Sequence, residues 1–260
     1  MEIYKGLEED KLSRRRFLAK AGVLTAGATT MAVLSGCGVQ SSQVPTAETS
    51  AKAKPEYPWG YKKIDPDRAA EIAYDRWYKG FCSYSVVSGI LVPLQEEMGE
   101  PYALLPLEAF KFAHGGVVGW GTMCGTLIAA GIATSFIAGE EGEKILNDVI
   151  NWYTTTELPI YKPANPKADI KNVNKSGSPL CHISVGKWMK KEGVPIGSPQ
   201  RKDRCARLSV DVTVKTVNLL NEWTDGKFVP VHGSQVKTHD ITSQNNCTSC
   251  HGTDVPMPPR

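Results

Sequence analysis

Between residues 65 and 224 apolar positions recur at helical spacing. Asp65-Pro66 opens the first such stretch with an acidic N-cap and a proline in the first turn; Ala69, Ile72, Ala73 and Trp77 then mark one face until Gly80 stops it. From Cys82 to Met98 the residues Val86, Val87, Ile90, Leu91 and Leu94 cover one broad face, and Gly99 and Pro101 break the chain. The glycine-rich run from His114 to Gly121 leads through Met123-Cys124-Gly125 into a helix of small residues ending at Ala138, where backbones can approach closely. Glu141 to Thr155 carries Ile145, Val149, Trp152 and Tyr153 on a helical face. Ser184 to Lys191 reads as a short helix, and Ser198 to Trp223 as a long one with Leu208, Val212, Leu219 and Leu220. Beyond Asp225 the pattern dissolves into Gly, Pro, Asn, Ser and His. No stretch alternates convincingly as a strand does, and no repeat is visible. The expectation is an all-α fold, a helical body with an irregular C-terminal tail.

The N-terminal segment follows another logic. Ser13-Arg14-Arg15-Arg16-Phe17-Leu18 forms a twin-arginine export signature, and the weakly apolar run from Ala21 to Gly36 is too short to span a bilayer comfortably. That run ends in Leu34-Ser35-Gly36-Cys37, which resembles a bacterial lipoprotein cleavage site, with Cys37 as the lipid-bearing first residue of the mature chain. Residues 1–36 therefore read as a signal peptide and 37–56, rich in Ser, Ala, Thr and Lys, as a flexible tether. Residues 57–224 form the helical domain and 225–260 a separate C-terminal segment. The expected location is the periplasm or the outer face of the cytoplasmic membrane, with a lipid anchor.

Charge narrows the partners. The formal net charge is +3, and much of the basic excess lies in the export signal and between Lys187 and Arg207. No stripe of Lys and Arg interleaved with aromatics is present, which argues against nucleic acid. Besides the lipid-bearing Cys37, six of the seven cysteines are left, and in an exported protein three disulfides are the default. Metal chemistry competes with that default.

The tail provides the sharpest motif, Cys247-Thr248-Ser249-Cys250-His251. In Cys-x-x-Cys-His two thiols add across the vinyl groups of haem and the adjacent histidine binds the iron, so one helical turn both tethers and ligates haem c. A thioredoxin-like redox pair would need a preceding strand, and half a zinc site would need a second close pair; neither is present. His239 and His232 lie 12 and 19 residues upstream of His251, within reach for a sixth ligand, in this subunit or a neighbour, since an extended chain spans about 3.3 Å per residue. Met257 is a further candidate that would have to wrap tightly around the ring edge.

The other cysteines, Cys82, Cys124, Cys181 and Cys205, are far apart in sequence. Two disulfides or buried thiols are open readings. Four cysteines can also complete a [2Fe–2S] or [4Fe–4S] unit, and the twin-arginine route carries proteins already folded around such a cluster. The arrangement Cys82, then Met123-Cys124-Gly125 running on to Gly131, then Cys181 and Cys205 resembles the redox-associated C_GCAxxG_C_C family, with departures from its GCA element at Met123 and Thr126. With a C-terminal Cys-x-x-Cys-His it is similar to the split-Soret cytochromes c of sulfate-reducing bacteria. The resemblance implies a mostly helical homodimer with haem c groups at one end, histidine ligands partly supplied across the dimer, an iron–sulfur cluster on the other cysteines, and redox proteins as donor and acceptor. Those cytochromes carry two haems per subunit, whereas this chain has one Cys-x-x-Cys-His; a haem tethered singly at Cys181-His182 would remove Cys181 from a cluster. Electron transfer is the expected function. The alternatives are a haem enzyme reducing a small oxidant at an open sixth position, and a disulfide-stapled structural protein.

Overall fold

The computed structural model describes residues 55–235, 237–238, 241–243 and 247–255; Cys37, His239 and Met257 lie outside them. The first long helix, α1 (Pro66–Met98), is two limbs joined at Phe81, whose φ of 63° and ψ of −157° are not helical. Asp65 caps its start by accepting from the Asp67 amide, with Pro66 in the first turn. The chain reverses at Phe81. The Ser85 hydroxyl donates to the Ala73 carbonyl at 2.6 Å, and Arg68 and Lys62 near the start pair with Glu96 and Glu97 near the end. The break expected at Gly80 is thus one residue later, in a backbone region that glycine normally occupies and that costs about 1–3 kcal/mol for other residues.

Two 3₁₀ turns, Tyr102–Leu104 and Leu107–Phe112, and a glycine-rich turn lead into α2 (Gly125–Ala138). In that turn Val117 and Val118 take left-handed φ values of 56° and 49°. Helix α3 (Glu140–Thr155) follows, and a long connection leads to α4 (Cys181–Glu192) and α5 (Pro199–Thr224), whose Ser198 cap accepts from the Arg201 amide. Helix α5 lies along α1, and α2 and α3 pack on this pair. The predicted apolar positions Val86, Ile90, Leu94, Ile145, Val149, Leu208, Val212 and Leu220 are all buried in one core. Past α5, strands β1 (Lys237–Thr238) and β2 (Ile241–Thr242) pair antiparallel, with Lys237 opposite Thr242, and α6 (Thr248–His251) is a single turn. The body is all-α, as the periodicity predicts.

Helix α4 begins three residues before its predicted start. No side chain caps it. Its first amides, those of Cys181 and His182, instead donate to the carbonyls of Thr122 and Gly121 at 2.7 and 3.1 Å. A partner that distant in sequence leaves no local start signal.

Gly89 and Gly125 allow close approaches between elements. A side chain at Gly89 would meet Thr213 of α5 at 2.7 Å and the Ala69 carbonyl at 2.9 Å; one at Gly125 would lie 1.8 Å from the Ala113 carbonyl and 3.2 Å from Cβ of Cys82. Gly125→Ala therefore has to push the start of α2 away from the Ala113 carbonyl. The expected outcome is a loss of about 1–3 kcal/mol in denaturant unfolding. Unchanged stability would show that the approach is looser than described.

Candidate functional site

The fold brings together four cysteines that the sequence scatters over more than a hundred positions. Cys82 opens the second limb of α1 directly after the Phe81 reversal, Cys124 is the N-cap of α2, and Cys181 is the first residue of α4. Cys205 lies inside α5. An antiparallel bridge between Met123 and Leu180 sets the starts of α2 and α4 side by side, and the Cys124 amide donates to the Pro179 carbonyl at 2.9 Å. All four side chains are buried free thiols.

Their electrostatics show that they act on one another. The Cys181 thiol donates to the Cys124 sulfur, which lowers the Cys124 pKa to about 6 against the effect of burial; the Thr126 hydroxyl, 3.2 Å away, Tyr153 and the Thr126 amide assist. Cys181 is correspondingly pushed up, first by that hydrogen bond, then by burial and by the other three sulfurs. Burial and the charges of Cys205 and Cys124 push Cys82 up, while Trp77 and the Gly115 amide oppose this. Among the described residues no three ligating side chains are close enough to hold a single metal ion. A multi-iron cluster spreads its thiolates over a wider sphere than one ion does, so its ligands need not meet single-ion geometry.

Two further observations test that fit. Three of the cysteines stand at helix starts, where the helix dipole favours negative sulfur. Beside them lies Arg204, only 1 % exposed. Its guanidinium makes hydrogen bonds to Ser184 Oγ (2.9 Å), Asn174 Oδ1 (3.4 Å) and Cys205 Sγ (4.0 Å), and none to a carboxylate among the described residues. A buried cation without an anion costs several kcal/mol. The charges of Cys205, Tyr153 and Cys124 offset the effect of its burial and raise its pKa. The buried polar atoms without a full hydrogen bond include Arg204 Nε, Trp77 Nε1 and Tyr153 Oη, all donors. Trp77 and Tyr153 interact with the Cys82 and Cys124 sulfurs but complete no hydrogen bond of ordinary geometry. An anionic iron–thiolate group matches this surplus of donors and positive charge.

A cavity of about 580 Å³ adjoins the group and is lined by Cys82, Cys181 and Cys205, with His114 and His182. Cys181 faces this group, which argues against using it as the single tether of a haem. In the tail, Cys247 is the N-cap of α6 and His251 its last residue, so the backbone forms the single turn expected of the motif. His251 is exposed. His232 sits against α3: its amide donates to Asp148 at 2.9 Å and its carbonyl accepts from Asn147 at 3.0 Å. Its Nε2 is buried without a partner, and the residue lines a second cavity of about 690 Å³. His232 thus keeps a ligand atom uncommitted.

Sequence reasoning missed Arg204, Tyr153, Trp77, Thr126 and His114. One signal was available for Arg204. Leu208 and Val212 follow four and eight residues later, so helical spacing places the arginine on the face the apolar pattern buries.

Comparison with known proteins agrees with this geometry. Residues 81–219 match the family model described as redox-active protein (C_GCAxxG_C_C). The chain is 35% identical over 203 residues to the split-Soret cytochrome c of Desulfovibrio desulfuricans, a match covering 75% of this chain and 71% of that protein. The solved structure of a split-Soret cytochrome c from that species, in which a novel iron centre was described, superposes with a TM-score of 0.65 at 31% identity, over 78% of this chain and 86% of that one.

The paired sulfurs predict a titration. In reduced, iron-free protein one thiolate should appear near pH 6, detected by its ultraviolet absorbance; it should vanish in Cys124→Ser and move upward in Cys181→Ala, where the donor is gone. Four thiols titrating together above pH 8 would contradict the assignment of Cys124 as the thiolate.

Proposed function

The chain belongs to the redox-active C_GCAxxG_C_C family, and from that premise we propose that it is a cytochrome-like electron-transfer protein with haem c in its tail and an iron–sulfur cluster in its body. One observation carries the reading: four buried thiols from four separate helical segments converge beside an unpaired buried guanidinium. Haem and cluster each supply a one-electron couple when bound. The chain's own residues do the rest.

Cys247 and Cys250 tether the haem, and His251 ligates its iron from the end of the α6 turn. His232 or His239 fills the sixth position, either within the subunit or across a homodimer; the unpartnered Nε2 of His232 supports this role. Cys82, Cys124, Cys181 and Cys205 hold the cluster. The Thr126 hydroxyl and the Gly115 amide donate toward sulfur, and Arg204 offsets the negative charge. Trp77 and Phe81, in edge-to-face contact at 5.5 Å, shield the Cys82 side of the group. Redox proteins serve as donor and acceptor. Export by the twin-arginine signal, with a lipid at Cys37, places the protein in the periplasm or at the outer face of the cytoplasmic membrane, and the folded export route suits a cluster inserted beforehand.

The two cofactor sites should separate under mutation. Cys124→Ala should bleach the cluster absorption and lower the iron-to-haem ratio of anaerobically purified protein while the haem persists. Replacing Cys247 and Cys250 together by Ala should abolish covalent haem and leave the helical body folded. Loss of both cofactors in either variant, or haem surviving denaturing electrophoresis in the double variant, would overturn the assignment. Cys37→Ser should move the protein from the membrane fraction to the soluble fraction; unchanged fractionation would remove the anchor.

A further inference from the structure

The cavity beside the cysteine group is larger than a cluster needs. Cys181, Val185 and Met189 line it at spacings of four along one face of α4. It therefore continues about 12 Å beyond the first cysteine, at 1.5 Å per residue. Its walls there are apolar, formed by Val185, Met189 and Ile196, with Trp77 and Phe81 at the cysteine end. Its polar groups have one character. Apart from the thiols they are His114, His182 and Arg201, and no carboxylate stands among the described residues that line it.

Neither imidazole is spent on structure. His182 is exposed and shows no side-chain hydrogen bond among the described contacts; His114 makes a ring contact with Phe81 at 5.6 Å. Arg201 is held by donating Nε to the Ile196 carbonyl at 2.6 Å, which leaves its terminal nitrogens for another acceptor. The start of α4 lies at the same end of the cavity as His182 and adds positive potential.

We propose that this cavity binds a small organic anion, its apolar body against Val185, Met189 and Ile196 and its acidic head against His182, His114 and Arg201, immediately beside the iron centre. The inference deepens the proposed function, because it makes the cluster accessible to a molecule other than a protein partner. Charge and shape act together in it. Apolar walls provide the affinity, and basic groups without an opposing carboxylate set the sign of the ligand.

Gly186 offers a clean way to close the site. A side chain built there would meet no atom within 4 Å, so Gly186→Phe obstructs the cavity without straining α4, where phenylalanine is a better helix former than glycine. Full-length, iron-loaded protein is titrated calorimetrically with benzoate, with benzylamine as a probe of the same shape and opposite charge, and with azide as an anion without a body. Benzoate should bind, benzylamine should not, and azide should bind more weakly than benzoate. Gly186→Phe and His182→Leu should each weaken benzoate binding by about tenfold or more, a difference calorimetry resolves readily, and benzoate should alter the electron paramagnetic resonance spectrum of the non-haem iron but not that of the haem. Equal binding of benzoate and benzylamine, or binding unchanged in both variants, would overturn the proposal. The iron-to-haem ratio of the same wild-type preparation tests the cluster separately: benzoate binding with haem iron alone would sink the cluster and leave the anion site standing.

Discussion

Sulfur buried away from water carries negative charge only where the protein supplies positive potential, and this requirement organises the helical body. Three helix starts converge on the cysteine group, because Cys82 follows the Phe81 reversal, Cys124 caps α2 and Cys181 begins α4. Arg204 adds a full charge that no carboxylate bonds. A buried acid in its field, Asp211, is held by the amides of Ile160 and Tyr161 at 2.9 and 2.8 Å. An unpaired guanidinium in a protein core is costly unless an anion stands beside it. The charges of Cys205, Tyr153 and Cys124 act on it, which links the stability of the core to the chemistry of the site.

Backbone strain falls in the same region. Phe81, Val117 and Val118 all have positive φ, and the first lies next to a cysteine while the other two belong to the turn that carries His114 and leads to Cys124. A relaxed helix through Phe81 would leave Cys82 on a continuous rod and abolish the reversal that pairs the limbs of α1. The strain, of about 1–3 kcal/mol per residue, is compensated by the packing of both limbs against α5. Core residues such as Ile90 and Leu208 thereby determine where a sulfur sits.

Much of this was legible in the sequence because helices carry local signatures. Asp65-Pro66 and Ser198-Pro199 announce starts by capping, and the spacing of Val86, Ile90 and Leu94 identifies the buried face. The four cysteines and the Cys-x-x-Cys-His motif stood out through residue type and spacing. What escaped depends on tertiary contact. The start of α4 is satisfied by Thr122 and Gly121, some sixty residues earlier, and so has no local cap. Arg204 reads as one charge in a basic stretch until α5 is seen against α1. Tyr153 was placed on a buried face, but its position against Cys124 follows only from the packing of α3 on α2. His232 lies within chain reach of the haem motif, but that Asp148 and Asn147 hold its backbone on α3 follows only from the fold.

The central claim is that these four thiols hold iron, and Mössbauer spectroscopy on anaerobically prepared protein grown with isotopically enriched iron tests it most directly, together with a count of acid-labile sulfide. The account predicts a sulfur-ligated tetrahedral iron component besides the low-spin haem, with inorganic sulfide released in proportion. Haem iron alone, no labile sulfide, and four body cysteines recovered as thiols or as two disulfides would contradict it.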